Sequence, residues 1–265
     1  MQHAKKIALI PVFNEEDTLL AVLNDTAALV DQIIIVEDGS RDASREMIRE
    51  WMSGREGVHL LGHAKNLGMA MALRSGFLFA DRLMRRGEIA PSDILINLDA
   101  DGQHPLHEIP AATREILAED LDILLVSRDF SLYPLYKRLG NRFLTSLARF
   151  LTGFPYKDVE SGFRFIRMRS LPLILRYFTG WKYSCAQEIA IITALQRLKI
   201  RNDYPVRINY YRPGTTFMDG FAVATMSLVA LIRVKIGWQN SAASLADGLR
   251  DITIESGTTV AERTR

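Results

Sequence analysis

Hydrophobic positions along this chain follow two alternating rhythms. The run KKIALIPVF, residues 5–13, is almost continuously apolar after its two lysines, the pattern of a strand buried on both faces. NEEDTLLAVLNDTAALV follows, with Leu19, Leu20, Leu23, Ala27 and Val30 at helical spacing and acids in its first turn to suit the helix dipole. QIIIVEDGS reads as a second buried strand ending in acids and a glycine turn. DASREMIREWM reads as a helix, VHLLGH as a strand, and NLGMAMALRSGFLFADRLMRR as a long helix entered through Gly68. DILINLDADG is a further strand, HEIPAATREILAE a helix with Pro110 near its start, and LDILLVSRD another strand. Strands alternating with helices predict an α/β fold with a doubly wound, mostly parallel sheet. Ligands of such sheets bind beyond the carboxyl ends of the strands. EDGS, DADGQH and SRD all fall there.

Beyond residue 130 the rhythm changes. YPLYKRLGNRFLTSLARFLTGF predicts a helix or helix pair. Leu135, Leu139, Phe143, Leu147 and Phe150 form its apolar stripe, with Arg138, Arg142 and Arg149 on a neighbouring face. SGFRFIRMRS reads as a strand with alternating arginines, CAQEIAIITALQRLKI as a helix and NDYPVRINYY as a strand. The most apolar stretch is FMDGFAVATMSLVALIRVKIGW. Its uninterrupted core, residues 221–232, is too short to span a bilayer and is closed by Arg233 and Lys235. It predicts an amphipathic helix over 216–240, buried or interfacial. Small polar residues over 241–265 predict a flexible tail. Residues 1–215 are expected to form one catalytic domain.

Composition narrows the picture. With 265 residues, 48% of them hydrophobic, the chain can bury the core of one large domain. Cys185 is the single cysteine, so no internal disulfide forms, which fits a reducing compartment. The N-terminal apolar run is broken by Pro11 and closed by acids, unlike a signal peptide. Net charge is +2 but uneven. Residues 1–130 carry 13 basic and 22 acidic side chains, 131–182 carry 10 and 2, and 183–265 carry 10 and 7. A strongly basic block inside a nearly neutral chain points to an anionic partner, against the plainer reading of a solvated face. Its basic and aromatic residues follow helical spacing rather than a groove-reading motif, which places nucleic acid last.

The stretch INLDADGQHP carries the densest chemistry. Asp99 and Asp101 lie two apart at a strand end, so in extended chain they point the same way. Paired carboxylates repel unless a cation or donor intervenes. Hard oxygen ligands suit Mg²⁺ or Mn²⁺, which keep open positions for substrate phosphates. Asp101 and Gln103 can supply oxygens, while Asp99 can bind through water or hold a sugar hydroxyl. An Asp-Gly turn explains either acid alone, but not both with the glutamine. In IVEDGSRDAS, Asp38 is the candidate acceptor for a nucleobase N–H, with turn chemistry and an Asp42 or Ser44 helix cap as the bland alternative. His3, His59, His63 and His107 show no ligand spacing. Cys185 and Trp51 read as core residues, and Trp181 and Trp238 as interface anchors.

The ordered set IPVFNEEDTL, VEDGSRDAS, KNLGMAMALRSGF, DADGQHPLHEIP, VSRDF, GNRFLTSLARFLTGFPYKDVESGFRFIRM and AQEIAIITALQRLKI resembles the family 2 glycosyltransferases of the GT-A fold. It is most similar to their dolichol-phosphate mannosyltransferase and polyprenyl-phosphate glycosyltransferase branch, over residues 5–215. That resemblance implies a nucleotide-sugar donor, of GDP-mannose or UDP-glucose type, and a divalent cation, Mg²⁺ or Mn²⁺. It places Pro11, Asn14 and Glu15 with Asp38 around the nucleotide. Asp99 and Asp101 become the donor- and metal-binding pair, and Gln103 completes the metal site. Arg128 lies near donor and acceptor phosphates, and Ser161 and Gly162 beside the acceptor. The family's glycine-lysine-glycine is here Gly68-Met69-Ala70, with one basic residue lost.

A polyprenyl phosphate acceptor is already anionic and needs positive charge rather than a general base. The block 131–182 offers Lys137, Arg138, Arg142, Arg164 and Arg167 beside Tyr133, Tyr136, Phe143 and Phe150. A basic amphipathic helix of this kind can lie in a membrane interface, so the expected place of work is the cytosolic membrane face, with assembly into a homo-oligomer left open. A hydroxyl acceptor would instead need a base, for which Glu188 is the candidate; Glu188 serves equally well as a salt-bridge partner. A nucleotide-sugar-binding protein without turnover is the non-enzymatic alternative.

Overall fold

The computed structural model describes residues 4–130, 133–181, 184–207, 217–257 and 259–262. Strands β1 (Lys6–Val12), β2 (Gln32–Glu37), β3 (Val58–Gly62), β4 (Ile94–Asn97) and β5 (Ile123–Arg128) alternate with helices α1 (Leu19–Ala27), α2 (Ser44–Met52), α3 (Met69–Arg85) and α4 (Ile109–Ala118). Helix α5 (Leu135–Thr152), strand β6 (Arg164–Arg167), helices α6 (Leu171–Leu175) and α7 (Cys185–Leu195), strand β7 (Ile200–Val206) and helix α8 (Phe217–Ile236) follow. The chain then adds α9 (Ala242–Asp247), β8 (Thr253–Ser256) and β9 (Thr259–Glu262). All strands join one sheet in the order β7-β5-β6-β4-β1-β2-β3-β8-β9.

Side-chain alternation along the buried strands divides the core. Ile7, Leu9, Ile34 and Val36 face α3, α6 and α7, where Phe77, Leu83, Ile174 and Ile189 pack. Ala8, Ile10, Ile33 and Ile35 face α1, α2 and α4, meeting Leu19, Leu23, Ile48 and Ile116. Both faces are covered, which is why these strands read as unbroken apolar runs. Strand β6 lies antiparallel between β4 and β5, pairing Asn97 with Arg164 and Leu124 with Phe165. A strand in the middle of the sheet buries all four of its residues, arginines included.

The basic stretch after residue 130 forms a single helix, α5, rather than a pair. The strand expected over 202–211 is described to Val206, and its later residues lie outside the described ones. The expected flexible tail is corrected. Strand β8 pairs antiparallel with β3, Leu60 opposite Glu255, and covers that otherwise open edge. Ile252 is buried, and Arg49 Nη2 meets Glu255 Oε1 at 2.7 Å. The signal was the alternation of Ile252 and Ile254 with polar residues, hidden by a small, polar composition. Helix α8 buries Val223, Ser227 and Ala230 and packs on α5 and α7, while Leu228, Ile232 and Ile236 stay exposed. Among the described residues no helix is long and apolar enough to cross a membrane.

Candidate active site

The loops after β1, β2, β4 and β5 meet at the carboxyl edge of the sheet. Strand β1 carries Pro11, buried beside Val36 of β2. Asn14 follows in left-handed backbone, φ 54°, and clasps the next loop. Its N–H donates to Ser40 Oγ at 3.1 Å, and its Oδ1 accepts the Arg41 N–H at 2.8 Å. The Glu15 N–H donates to Ser44 Oγ at 3.0 Å, and Thr18 Oγ1 donates to the carbonyl of Ala100 at 2.8 Å. The stretch from Asn14 to Thr18 therefore ties the β2 loop to the acid pair.

Asp99 is held from below. His104 approaches its carboxylate at 3.2 Å, accepts its N–H, and stacks on Phe163 with ring centroids 5.1 Å apart. Burial raises the cost of charging Asp99. His104, and behind it Arg164 and Arg128, outweigh that cost and hold the carboxyl below its usual range. Glycine at 162 is a steric requirement: a Cβ there would sit 2.8 Å from Asp99 Oδ2. Gly162→Ala is expected to displace this carboxylate and cut turnover by about 10²-fold, the scale of an ångström misplacement. Initial rates, with circular dichroism to confirm the fold, check this.

Asp101 and Gln103 converge on one point. Asp101 accepts the Gln103 N–H at 3.0 Å and its side-chain Nε2 at 2.5 Å. Turning that amide over would put two hard oxygens side by side, a donor set that fits Mg²⁺ or Mn²⁺. Among the described residues no cluster of three His, Cys, Asp or Glu side chains could hold a metal.

Arg128 closes the other side. It grips Asp158 bidentately, Nε to Oδ2 at 2.7 Å and Nη2 to Oδ1 at 3.0 Å, and Nη2 reaches Asn141 Oδ1 at 3.3 Å. Its guanidinium carbon lies 5.0 Å from the Phe130 ring centroid. Beyond Asn141 opens a cavity of about 350 Å³. Arg138, Arg142, Arg149 and Lys157 supply its charge, Phe130, Leu135 and Leu139 its apolar rim, and no acid is among its described lining residues.

The expected acceptor set divides. Arg138 and Arg142 line this cavity, whereas Lys137 lies over the Tyr136 ring at 5.9 Å. Ser161 and Arg164 are 2% and 1% exposed, Arg164 because β6 is a central strand with both faces covered. Arg164 there acts as a buried counter-charge to Asp99, Glu160 and Asp158. Arg149, Lys157, Asp158 and Glu160 join the site as well; the basic block signals the first two, and no spacing marks the two acids. Asp38 lies inside the protein. It is 2% exposed, and its carboxylate is taken by His63 and by the N–H groups of Leu67 and Gly68. It links the β2 loop to the loop that enters α3, which together form one wall of the site.

Glu188 is fully buried and accepts the N–H groups of Thr179 at 2.7 Å and Gly180 at 3.4 Å. Burial pushes its carboxyl up from 4.5 to about 7, against those donors. The folded protein therefore keeps a proton that the unfolded chain releases between pH 4.5 and 7, so this group's contribution to stability falls as pH rises through that window. Glu188→Gln should remove this loss, raising stability at pH 8 relative to pH 5 by on the order of 2–3 kcal/mol. Urea midpoints at the two pH values measure it.

A mixed sheet with one antiparallel strand between β4 and β5, and an acid pair at the end of β4, is the architecture of a GT-A glycosyltransferase. Glucosyl-3-phosphoglycerate synthase of Mycobacterium tuberculosis, solved with Mn²⁺, UDP and glucosyl-3-phosphoglycerate, superposes with a TM-score of 0.63 at 18% identity, over 87% of this chain and 80% of that one. Residues 7–175 match the model of glycosyl transferase family 2, and the chain belongs to that family: it is a glycosyltransferase. Its relatives include the UDP-N-acetylglucosamine–dolichyl-phosphate N-acetylglucosaminyltransferase of Methanococcus voltae, 27% identical over 251 residues, 86% of this chain and 95% of that protein. The undecaprenyl-phosphate 4-deoxy-4-formamido-L-arabinose transferase of Aeromonas hydrophila is 30% identical over 175 residues, 63% of this chain and 50% of that protein.

Proposed function

We propose that this protein moves a sugar from a nucleotide sugar of GDP-mannose or UDP-glucose type to a polyprenyl phosphate, with inversion at the anomeric carbon. The observation that carries the reading is the basic cavity with an apolar rim and no acid among its described lining residues, bordered by Asn141, which Arg128 reaches at 3.3 Å. Two relatives bearing polyprenyl-phosphate names support it.

A bound Mg²⁺ or Mn²⁺ at Asp101 and Gln103 would neutralise charge gathering on the departing diphosphate. The chain's own residues do the rest. Asp99, fixed by His104 and kept ionised by the cations around it, accepts hydrogen bonds from donor hydroxyls. Pro11, Asn14 and Glu15 border the nucleotide. Arg128, locked by Asp158, holds its guanidinium between the two phosphates without a rotamer to choose. Arg138, Arg142, Arg149 and Lys157 bind the acceptor phosphate, whose oxygen is already anionic and attacks without proton removal. A hydroxyl acceptor fits less well: its candidate base, Glu188, is buried and spends its carboxylate on the Thr179–Gly180 turn.

The surface beside the cavity suits a lipid-borne acceptor. Helix α5 exposes Leu135, Tyr136, Leu139, Phe143 and Phe150, and α8 with its following turn exposes Leu228, Ile232, Ile236 and Trp238. These two packed helices present apolar side chains flanked by cations, an arrangement that binds a membrane interface. This supports peripheral association with the cytosolic membrane face. The test is Arg142→Ala, assayed with a short-chain polyprenyl phosphate. KM for the acceptor should rise about 10- to 10²-fold with donor KM unchanged. Equal effects on both substrates would reject the cavity as the acceptor site.

A further inference from the structure

A buried polar chain behind the donor side of the site belongs to none of the roles above. His63 follows β3 and is 1% exposed. Its Nδ1 lies 2.6 Å from Asp38 Oδ1, and its Nε2 lies 2.9 Å from Ser75 Oγ on α3. Asp38 and Ser75 are each 2% exposed. The Asp38 carboxylate then accepts the N–H of Leu67 at 2.9 Å and of Gly68 at 2.8 Å. Serine, imidazole and carboxylate stand in the order of a hydrolytic triad, but Ser75 is sealed inside a helix packed on the sheet. No substrate reaches it, so the arrangement orients groups rather than attacking a bond.

What it orients is a loop. A carboxylate without solvent needs its donors, and losing one leaves a costly unpaired group. An imidazole bonded at both nitrogens has one ring orientation, as in the outer contacts that fix functional histidines. Ser75 therefore sets His63, His63 sets Asp38, and Asp38 pins the backbone of Leu67 and Gly68 at the entrance to α3. The β2 loop presses on the same segment: a Cβ at Gly39 would lie 2.4 Å from the carbonyl carbon of Lys65, and the φ there is +71°. Strand order fixes which substrate meets this wall. Running β5-β6-β4-β1-β2-β3, the acid pair sits at β4, the basic cavity beyond β5, and this loop at the opposite end, after β3.

We propose that His63 and Ser75 are positioning residues for the nucleoside portion of the donor, acting through Asp38 to hold the 66–68 loop. The inference rests on the nucleotide-sugar reading of the site. Calorimetric titration of the full chain with UDP and with GDP, in the presence of Mn²⁺, tests it. Ser75→Ala and His63→Ala should raise the Kd of the diphosphate that wild type binds by tenfold or more. The kcat at saturating donor and the KM for polyprenyl phosphate should stay within twofold. His63→Asn keeps an N–H toward Asp38 and should recover part of the affinity. A merely structural role would lower Tm with the wild-type Kd retained; that result in the milder Ser75→Ala overturns the inference alone. Wild type binding neither diphosphate overturns the nucleotide-sugar reading and the inference with it.

Discussion

Replacing Asp101 with alanine is expected to lower turnover by about 10³-fold and to erase the gain in thermal stability that a nucleotide sugar gives in Mn²⁺. The size follows from the charge involved. A departing nucleoside diphosphate gathers negative charge, and Asp101, with the Gln103 amide turned over beside it, would present hard oxygens to a cation there. Asp101 is half-exposed, with Gln103 as its hydrogen-bond partner, so its removal should leave the fold intact. Asp101→Asn keeps the volume and isolates the charge. Gln103→Ala should act in the same direction and less strongly, since it removes a neutral ligand. Thermal shift with and without Mn²⁺, beside initial rates, separates loss of the cation from loss of the donor.

Asp158→Ala is expected to be the most destabilising single change near the site, costing about 3–5 kcal/mol and lowering Tm by on the order of 10 °C. The Asp158 side chain is fully buried and Arg128 only 17% exposed, so removing the acid leaves a guanidinium in a poorly solvated place without its counter-charge. The same acid accepts the Arg128 and Glu160 backbone N–H groups at 3.2 and 3.1 Å, which lose their acceptor too. A double replacement, Arg128→Leu with Asp158→Leu, should recover much of the stability, because an apolar pair has no charge to strand. It should recover none of the activity. Chemical denaturation of the single and double variants, with rates on the same samples, distinguishes the ion pair's part in folding from its part in catalysis.

The first five strands were legible because each is covered on both faces and so reads as an apolar run ending in polar residues. DADGQ was legible for the same reason: carboxylates directly after Ile94–Asn97 have no place in the core and must face the edge where ligands bind. The burial of Arg164 was not legible, because an arginine on a short strand reads as surface. Only the insertion of β6 between β4 and β5 buries it, and pairing partners distant in sequence leave no local trace. The burial of Asp38 was not legible because its partners are backbone N–H groups and a lone histidine, none of which a spacing rule detects. The tail was judged by composition, and the Ile252–Ile254 alternation that seats β8 against β3 is too short to outweigh it.

The central claim is that the acid pair and the basic cavity serve one transfer, from a nucleotide sugar to a lipid phosphate. Mass spectrometry of the product formed from a nucleotide sugar and a short-chain polyprenyl phosphate, with Mn²⁺ and then with excess chelator, tests it most directly. The expected product is a sugar linked through phosphate to the lipid, formed with the cation and lost with the chelator. Undiminished product in chelated buffer, or sugar found only on a hydroxyl acceptor added in competition, would contradict it.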